Sequence, residues 1–373
     1  MTATSGSATH PVFHWFLPTG GDGRRLGGSV HGLEIGDAEA RAGARDEGRR
    51  PASLDYLTQL ARAADTLGYE GVLTPTGAHC EDAWIVTAAL IAQTRRLKFL
   101  VAFRPGLVAP ALAAQMAATF QRLSDGRLLL NVVAGGSDAE QRGYGDPLAH
   151  DERYQRAEEF LEVVRASWSG TRFDHHGTHY QLTGARLRRP PAPIPRVYLG
   201  GSSPPALQLA ADHADTYLTW GEPVPLVAEK VDRVRALAAA RGRTVRFGLR
   251  IHVISRDSTA RAWQDAEALI AGLDDATIAA GQQRLRALES VGQRRMLDLH
   301  GGSRDRLVVA PNLWAGIGLV RGGAGTALVG AHDEVAERIA EYRAAGIDEF
   351  VLSGYPHLEE AYRFAEEVRP LLG

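Results

Sequence analysis

The sequence predicts an α/β chain folded as a (β/α)8 TIM barrel with insertions. Three observations lead there: eight short β-rich apolar runs, amphipathic helical segments between them, and a length of 373 residues, enough for one large barrel. Runs that are nearly continuous in hydrophobics read as strands buried on both faces, as in a parallel sheet covered by helices. A doubly wound open sheet is the alternative arrangement of the same units.

The runs are VFHWFL (12–17), EGVLTP (70–75), LKFLVAF (97–103), RLLLNVVA (127–134), RVYLGG (196–201), DTYLTW (215–220), RFGLRIHVI (246–254) and EFVLSGY (349–355). Helical periodicity fills the intervals, in segments such as SLDYLTQLARAADTLG, DAWIVTAALIAQTRR, ALAAQMAATFQRLSDG and VAERIAEYRAAG, several closing on a glycine suited to a C-cap. Residues 1–12 read as a disordered tail and 13–373 as one barrel domain. Insertions interrupt the rhythm near 20–52, 170–195 and 255–348; the second suggests a small extended excursion, and the third holds two or three helices. The third ends in NLWAGIGLVRGGAGTALVG (312–330), glycine-rich and apolar, with Arg321 as its single charge. Glycine loses the most backbone entropy on ordering, so this stretch is expected to be a mobile lid whose guanidinium closes over an anion.

Composition narrows the function. A formal net charge of −2 gives no electrostatic reason to expect nucleic acid or an anionic membrane as partner. The lone cysteine, Cys80, excludes an intrachain disulfide scaffold, and there is no apolar run of about 18 residues or secretory leader pattern, so a cytoplasmic location is expected. Alanine-rich barrel helices two and three suit close packing between subunits, hence a homodimer or homotetramer.

In such a barrel the reactive groups sit where strands end at the C-terminal face. Strand seven carries Arg250 and His252 two residues apart, hence on one face; either an anion compensates them or they form a buried structural pair. Strand eight leads into Tyr355 and His357, both able to move protons, although His357 also stands where it can merely cap the next helix. Cys80, ahead of a helix, reads as a pocket residue or a small buried hydrophobe, and Trp220 as an aromatic wall or plain core. Gly201, Ser202 and Ser203 lead into a helix N-terminus, a place for a phosphate, with Tyr154 beside it and Asn131 within reach of a heteroaromatic ring. No metal site is expected: His175, His176 and His179 read as a solvated loop, and no zinc, Walker, dinucleotide or serine-elbow motif is present.

Together FLPTGGDGRRLGG, TGAHCEDAW, YLGGSS, YLTWGEP, RFGLRIHVI, the 312–330 segment and FVLSGYPHLEEAYR resemble the alkanesulfonate monooxygenases of the luciferase-like flavin monooxygenase superfamily. The resemblance implies a barrel that takes FMNH2 from a separate NAD(P)H-dependent FMN reductase. With O2 as co-substrate, such enzymes cleave the C–S bond of a sulfonate to aldehyde and sulfite. It also implies catalytic roles for Arg250, His252, Tyr355 and Arg321, with His252 as base on the substrate carbon. Cys80, Trp220, His357 and Arg321 would contact substrate, while Asn131, Tyr154, Gly201, Ser202 and Ser203 would hold FMN. The family often carries a histidine before Gly-Asp-Gly where this chain has Gly20, and the loop over 28–52 is long. A sister activity on a sulfone, methanesulfonate or a non-sulfur compound is the alternative.

Overall fold

Eight parallel strands close into a barrel, in spatial order β1 (Val12–Phe16), β2 (Gly71–Thr74), β3 (Lys98–Phe103), β4 (Leu128–Val132), β7 (Val197–Gly200), β8 (Thr216–Trp220), β9 (Arg246–Arg256) and β13 (Glu349–Ser353). The ring is sealed by β8 pairing with β9 and by β13 pairing with both β9 and β1. Seven of the strands fall within the apolar runs and β9 extends two residues beyond its run (246–254), while closure of the ring excludes the open-sheet alternative. The computed structural model describes residues 10–26 and 50–373; most of the expected tail (1–9) and of the first insertion (27–49) lies outside the described residues. Among the described residues no helix is long and apolar enough to cross a membrane.

Local chemistry marks the helix starts. Ser53 accepts a hydrogen bond from the Tyr56 amide at 3.2 Å and Asp82 from the Ile85 amide at 2.9 Å. Helix Pro110–Ser124 begins with proline at its first position and ends at Asp125, whose φ of 55° takes the left-handed place usually given to glycine. The outer core fills the space between strands and helices with Trp15, Phe99, Phe103, Phe160 and Tyr217 among others.

Period-two alternation arranges the barrel interior in layers. An apolar layer of Phe16, Leu73, Leu100, Leu129, Tyr198, Leu218 and Val351 crosses its middle. Gly248 is glycine because a Cβ there would meet Leu218 Cδ2 at 2.5 Å. Below this layer lies a buried ionic knot centred on Glu349. Its carboxylate takes a hydrogen bond from the Tyr198 hydroxyl at 2.7 Å and one from Arg196 at 3.0 Å, and lies 3.2 Å from His14 Nε2 and 3.3 Å from Arg246 Nε. Two residues further on from Glu349, Val351 joins the apolar layer, and Ser353 opens into the polar layer above.

The second insertion is a β-hairpin, β5 (Phe173–His176) and β6 (Gln181–Ala185). The third comprises helices Thr259–Ile270, Asp275–Arg286 and Val291–His300, then β10 (Val308–Ala310), β11 (Leu313–Trp314) and β12 (Ala327–Ala331). Strand β9 is 11 residues long and outruns its barrel neighbours. Where β8 stops, opposite Arg250, β12 takes over the same edge and pairs with His252 to Arg256. The insertion is therefore an extension of the barrel wall at its C-terminal rim.

Here the structure corrects an expectation. Segment 312–330 is folded and mostly buried: two strands and a 3₁₀ turn, with Trp314, Ile317, Leu319 and Val320 in a core with the insertion helices. Its glycines serve close packing. A Cβ on Gly325 would stand 2.8 Å from Gly318 Cα, and one on Gly316 would lie 2.0 Å from the Trp314 ring. Composition alone cannot separate a glycine that confers freedom from one that lets two backbones touch.

Desolvation opposes the Glu349 charge, but the surrounding donors and cations prevail and hold its carboxyl down at about 2 instead of 4.5. A depressed carboxyl contributes stability in full above the unfolded value of 4.5, losing it as pH falls toward about 2. Glu349→Ala is expected to cost about 3 kcal/mol at pH 7, the low end for breaking a buried pair because both arginines reach water. In denaturant melts the gap between wild type and variant narrows as pH drops below 4.5.

Candidate active site

At the C-terminal face of the barrel the inward positions turn polar. Arg250 and His252 share the inner face of β9, as the alternation predicts, and both are buried. Arg321 arrives from the insertion, carried by the turn between β11 and β12. The Arg250 guanidinium lies 4.7 Å from the Phe16 ring centre and Arg321 5.6 Å from the same ring. Arg321 is also 5.8 Å from the Tyr355 ring, and Tyr355 stacks on His252 at 5.6 Å. His357 completes the group, its ring edge-on to Tyr355 at 5.0 Å. Five residues singled out in the sequence thus converge on one place.

Neither arginine is paired with a carboxylate among the described residues. Arg250 spends hydrogen bonds on the carbonyls of Ile251 and Val351, at 3.0 and 3.4 Å. Arg321 directs Nη1 to His252 Nε2 at 2.7 Å and leaves its buried Nε without a partner. Burial, reinforced by the neighbouring Arg321 cation, pushes Arg250 down to about 9. Two cations in a dry pocket raise each other's free energy, and an oxyanion between them would relieve it.

Both nitrogens of His252 are engaged: Nδ1 lies 2.6 Å from Ser353 Oγ, and Nε2 lies 2.7 Å from Arg321 Nη1 and 3.1 Å from the Ala324 carbonyl oxygen. Burial and the nearby cations Arg250 and Arg321 hold its pKa well below the usual range, which keeps it neutral.

Sequence reasoning missed Asp22. It lies in the Gly-Asp-Gly turn after β1, wholly buried, and a two-way backbone bridge of 2.9 Å to Arg50 fixes it there. Its carboxylate receives the His357 amide and Nδ1, each at 2.8 Å. The Gly23 amide donates at 2.8 Å, and the Tyr56 hydroxyl also donates. The signal was present in the quoted motif, but its partner stands 335 residues away in the sequence.

Ion pairs lock the elements that bring these groups together. Glu222, after β8, holds Lys230 at 2.7 Å and Arg295 of helix Val291–His300 at 2.5 Å. Arg256, at the end of β9, joins Asp265 of helix Thr259–Ile270 at 2.5 Å to Glu360 of helix His357–Arg363 at 3.0 Å. Gln282 donates to the Leu319 carbonyl at 2.7 Å, fixing the turn before Arg321.

A second group surrounds the end of β7. Gly201 has a φ of 133°, and a Cβ there would stand 2.6 Å from Ala206 Cβ and 3.2 Å from the Tyr154 hydroxyl, so only glycine allows the turn. Ser203 caps the following helix, accepting from the Ala206 amide at 3.4 Å, while Tyr217 donates to the Gly201 carbonyl at 2.6 Å. Pro204 and Pro205 occupy the first two helical positions and bring no N–H, contrary to the expected nest of helix amides. The donor set for a phosphate is the hydroxyls of Ser202, Ser203 and Tyr154 with the amides of the turn, and it fits a phosphate monoester. Asn131, on adjacent β4, is opposite Tyr198 of β7. Trp220 joins the two groups: it is opposite Arg250 in the β8–β9 ladder, and its ring lies 3.2 Å from where a Gly292 Cβ would be, with Ser202 Oγ 3.6 Å from the same point.

Cys80 is half-buried, and burial pushes its thiol up to about 11, partly offset by Thr19 and the Arg321 cation. It is therefore a neutral pocket group at neutral pH and no nucleophile. The histidine-rich segment forms a hairpin on which His176 is exposed and His175 Nε2 lies 3.0 Å from Glu159. A cluster with metal-ligand spacing, Glu158, Glu162 and His213, lies on outer helices apart from this site.

Residues 13–349 match the family model for luciferase-like monooxygenases. Among solved structures, riboflavin lyase with a modified FMN and riboflavin superposes with a TM-score of 0.79 at 22% identity, over 97% of this chain and 91% of that chain. EDTA monooxygenase from Chelativorans sp. BNC1 gives 0.73 at 21% identity, covering 97% and 93%. A long-chain alkane monooxygenase gives 0.76 at 19%, covering 98% and 92%. At these identities the likeness carries the barrel fold.

The unpaired arginines make a direct prediction. Sulfate at a hundred times its Kd is expected to stabilise the protein by about 2.7 kcal/mol. Thermal melts against sodium chloride of equal ionic strength should show this gain in wild type, and Arg250→Met/Arg321→Met should lose it.

Proposed function

The chain belongs to the luciferase-like monooxygenase family, and from that premise we propose that it is a two-component flavin monooxygenase cleaving the C–S bond of an alkanesulfonate. The observation that carries the reading is the buried pair Arg250 and Arg321, without a carboxylate partner among the described residues and packed on Phe16. A sulfonate is a monoanion with three acceptor oxygens and an apolar tail, which suits two guanidinium forks in an aromatic pocket.

Reduced FMN, when bound, supplies the electrons that activate O2. Ser202, Ser203 and Tyr154 would hold its phosphate, Gly201 would shape the turn beneath it, and Asn131 would face its ring. Arg250 and Arg321 hold the sulfonate and stabilise negative charge as the C–S bond breaks. Phe16, Trp220 and the neutral Cys80 exclude water, which strengthens both cations. Tyr355 stands between the arginines and the histidines as a hydroxyl donor. The reading includes a separate NAD(P)H-dependent reductase as the source of reduced flavin.

Sulfite release is the test, with FMN, NADPH, O2 and a generic flavin reductase, across sulfonates of increasing chain length. Release that requires both reduced flavin and O2 is expected, and Arg250→Ala should lower it about 100-fold or more, the usual loss for a preorganised charge-stabilising donor. No sulfite from any sulfonate, with reduced flavin still bound, would transfer the assignment to a sulfone or non-sulfur substrate and implicate Gly20.

We propose also that a second copy of the chain covers barrel helices two and three. Ile85, Ala88, Ala89 and Ala92 form an exposed apolar stripe at helical spacing, with Leu112 half exposed on the next helix. Sedimentation should show a dimer or higher oligomer in wild type and a shift toward monomer in Ile85→Glu.

A further inference from the structure

We propose that His357 is the general base of this site and that Asp22 is its positioning residue, while His252 serves to orient Arg321. The assignment rests on the monooxygenase reading above, and it exchanges the roles that the sequence suggested for the two histidines.

The two imidazoles are wired differently. His252 has both nitrogens engaged: Nδ1 faces Ser353 Oγ at 2.6 Å, and Nε2 faces Arg321 Nη1 at 2.7 Å and the Ala324 carbonyl at 3.1 Å. Taking up a substrate proton on either nitrogen would break one of these contacts beside two guanidiniums. His357 is the reverse case. Its Nδ1 faces Asp22 Oδ1 at 2.8 Å, and a carboxylate can only accept, so Nδ1 bears a proton and in the neutral ring the lone pair is on Nε2. Nε2 is buried and has no hydrogen-bond partner. The ring meets Tyr355 edge-on at 5.0 Å and Phe16 at 5.7 Å, the same aromatics that carry the arginines.

Asp22 is built to hold that tautomer. Its carboxylate is wholly buried and has no Lys or Arg partner among the described residues. Four donors occupy it: the amides of Gly23 and His357, the Tyr56 hydroxyl, and His357 Nδ1. Burial works against the charge, but the pairing with His357 and these donors keep Asp22 below the usual carboxylate range. Such a carboxylate orients the imidazole and stabilises the imidazolium formed when Nε2 takes a proton. In the step assigned here the proton leaves the substrate carbon that bears sulfur. The Nε2–H bond forms as the C–H bond breaks, the electron pair stays on the carbon, and nothing is oxidised or reduced in the transfer itself.

The charged and titratable groups that face His357 come from several elements. Asp22 lies on the turn after β1 and Tyr56 on helix Leu54–Thr66. Glu359, paired with Arg50, is on its own helix. Tyr355, His252, Arg250 and Arg321 lie on the barrel side, where the two cations oppose an imidazolium. Asp22 is the carboxylate in direct contact with the ring.

The first test needs neither flavin nor substrate. Nitrogen-15 NMR of the protein labelled at histidine should find His357 protonated at Nδ1 in wild type. Asp22→Asn should lower its pKa by about one pH unit or more, since a contacting carboxylate is lost. Tyr56→Phe should move the pKa the opposite way, because it removes a donor that weakens the same carboxylate; this variant also serves if Asp22→Asn does not fold. In sulfite release, Asp22→Asn should lower kcat about 100-fold or more with KM changed less than about threefold, and Asp22→Glu should recover part of it. The acidic limb of the pH profile should follow the NMR shifts of both variants, which a merely structural Asp22 would not produce. A neutral His357 ring with its proton on Nε2 in wild type, or an acidic limb that vanishes in His252→Asn and persists in His357→Asn, would overturn the proposal. If no sulfonate is turned over while the tautomer and both shifts are found, the substrate reading fails and the Asp22–His357 pair stands.

Discussion

Two guanidinium groups, Arg250 and Arg321, lie buried against one phenyl ring with no carboxylate partner among the described residues, and much of the architecture exists to hold that arrangement. Isolated buried charge is among the costliest things a fold can contain. The protein tolerates it by surrounding the pair with rigid, well-satisfied structure. Below is the apolar layer of Phe16, Leu218 and Val351; below that, the Glu349 knot closes the barrel floor. To the side, His252 is kept neutral, so that no third cation is added.

The same logic explains why the third insertion is anchored by ion pairs whose partners are present. Glu222 with Lys230 and Arg295, and Arg256 with Asp265 and Glu360, are satisfied networks that bind separate elements to the rim. They sit one shell outside the unsatisfied pair. Strain is thus confined to the centre, where a ligand can relieve it, and the scaffold around it carries compensated charge. The overhang of β9 makes this possible, because β12 can add to its edge only beyond the end of β8.

Much of this was legible along the chain. The eight runs became the eight barrel strands because burial on both faces leaves a hydrophobic signature that needs no tertiary information. Period-two spacing placed Arg250 and His252 on one face, and the turn after β13 placed Tyr355 and His357 together. The 312–330 segment is not legible in this way, since the close backbone approach of Gly318 and Gly325 looks, in composition, like freedom. The tyrosine and serine hydroxyls near Gly201 were anticipated, but the effect of Pro204 and Pro205 on the amides there was not drawn.

What the sequence by itself determined is the set of strands, their inward faces and the local turn chemistry, all governed by neighbours a few residues apart. What only the tertiary structure decided is which partner meets each nitrogen of the two histidines, leaving His357 Nε2 without one. His252 finds Arg321 69 residues away, and His357 finds Asp22 335 residues away. Protonation and tautomer depend on partners in space, and a linear pattern does not specify which distant donor will arrive at which lone pair.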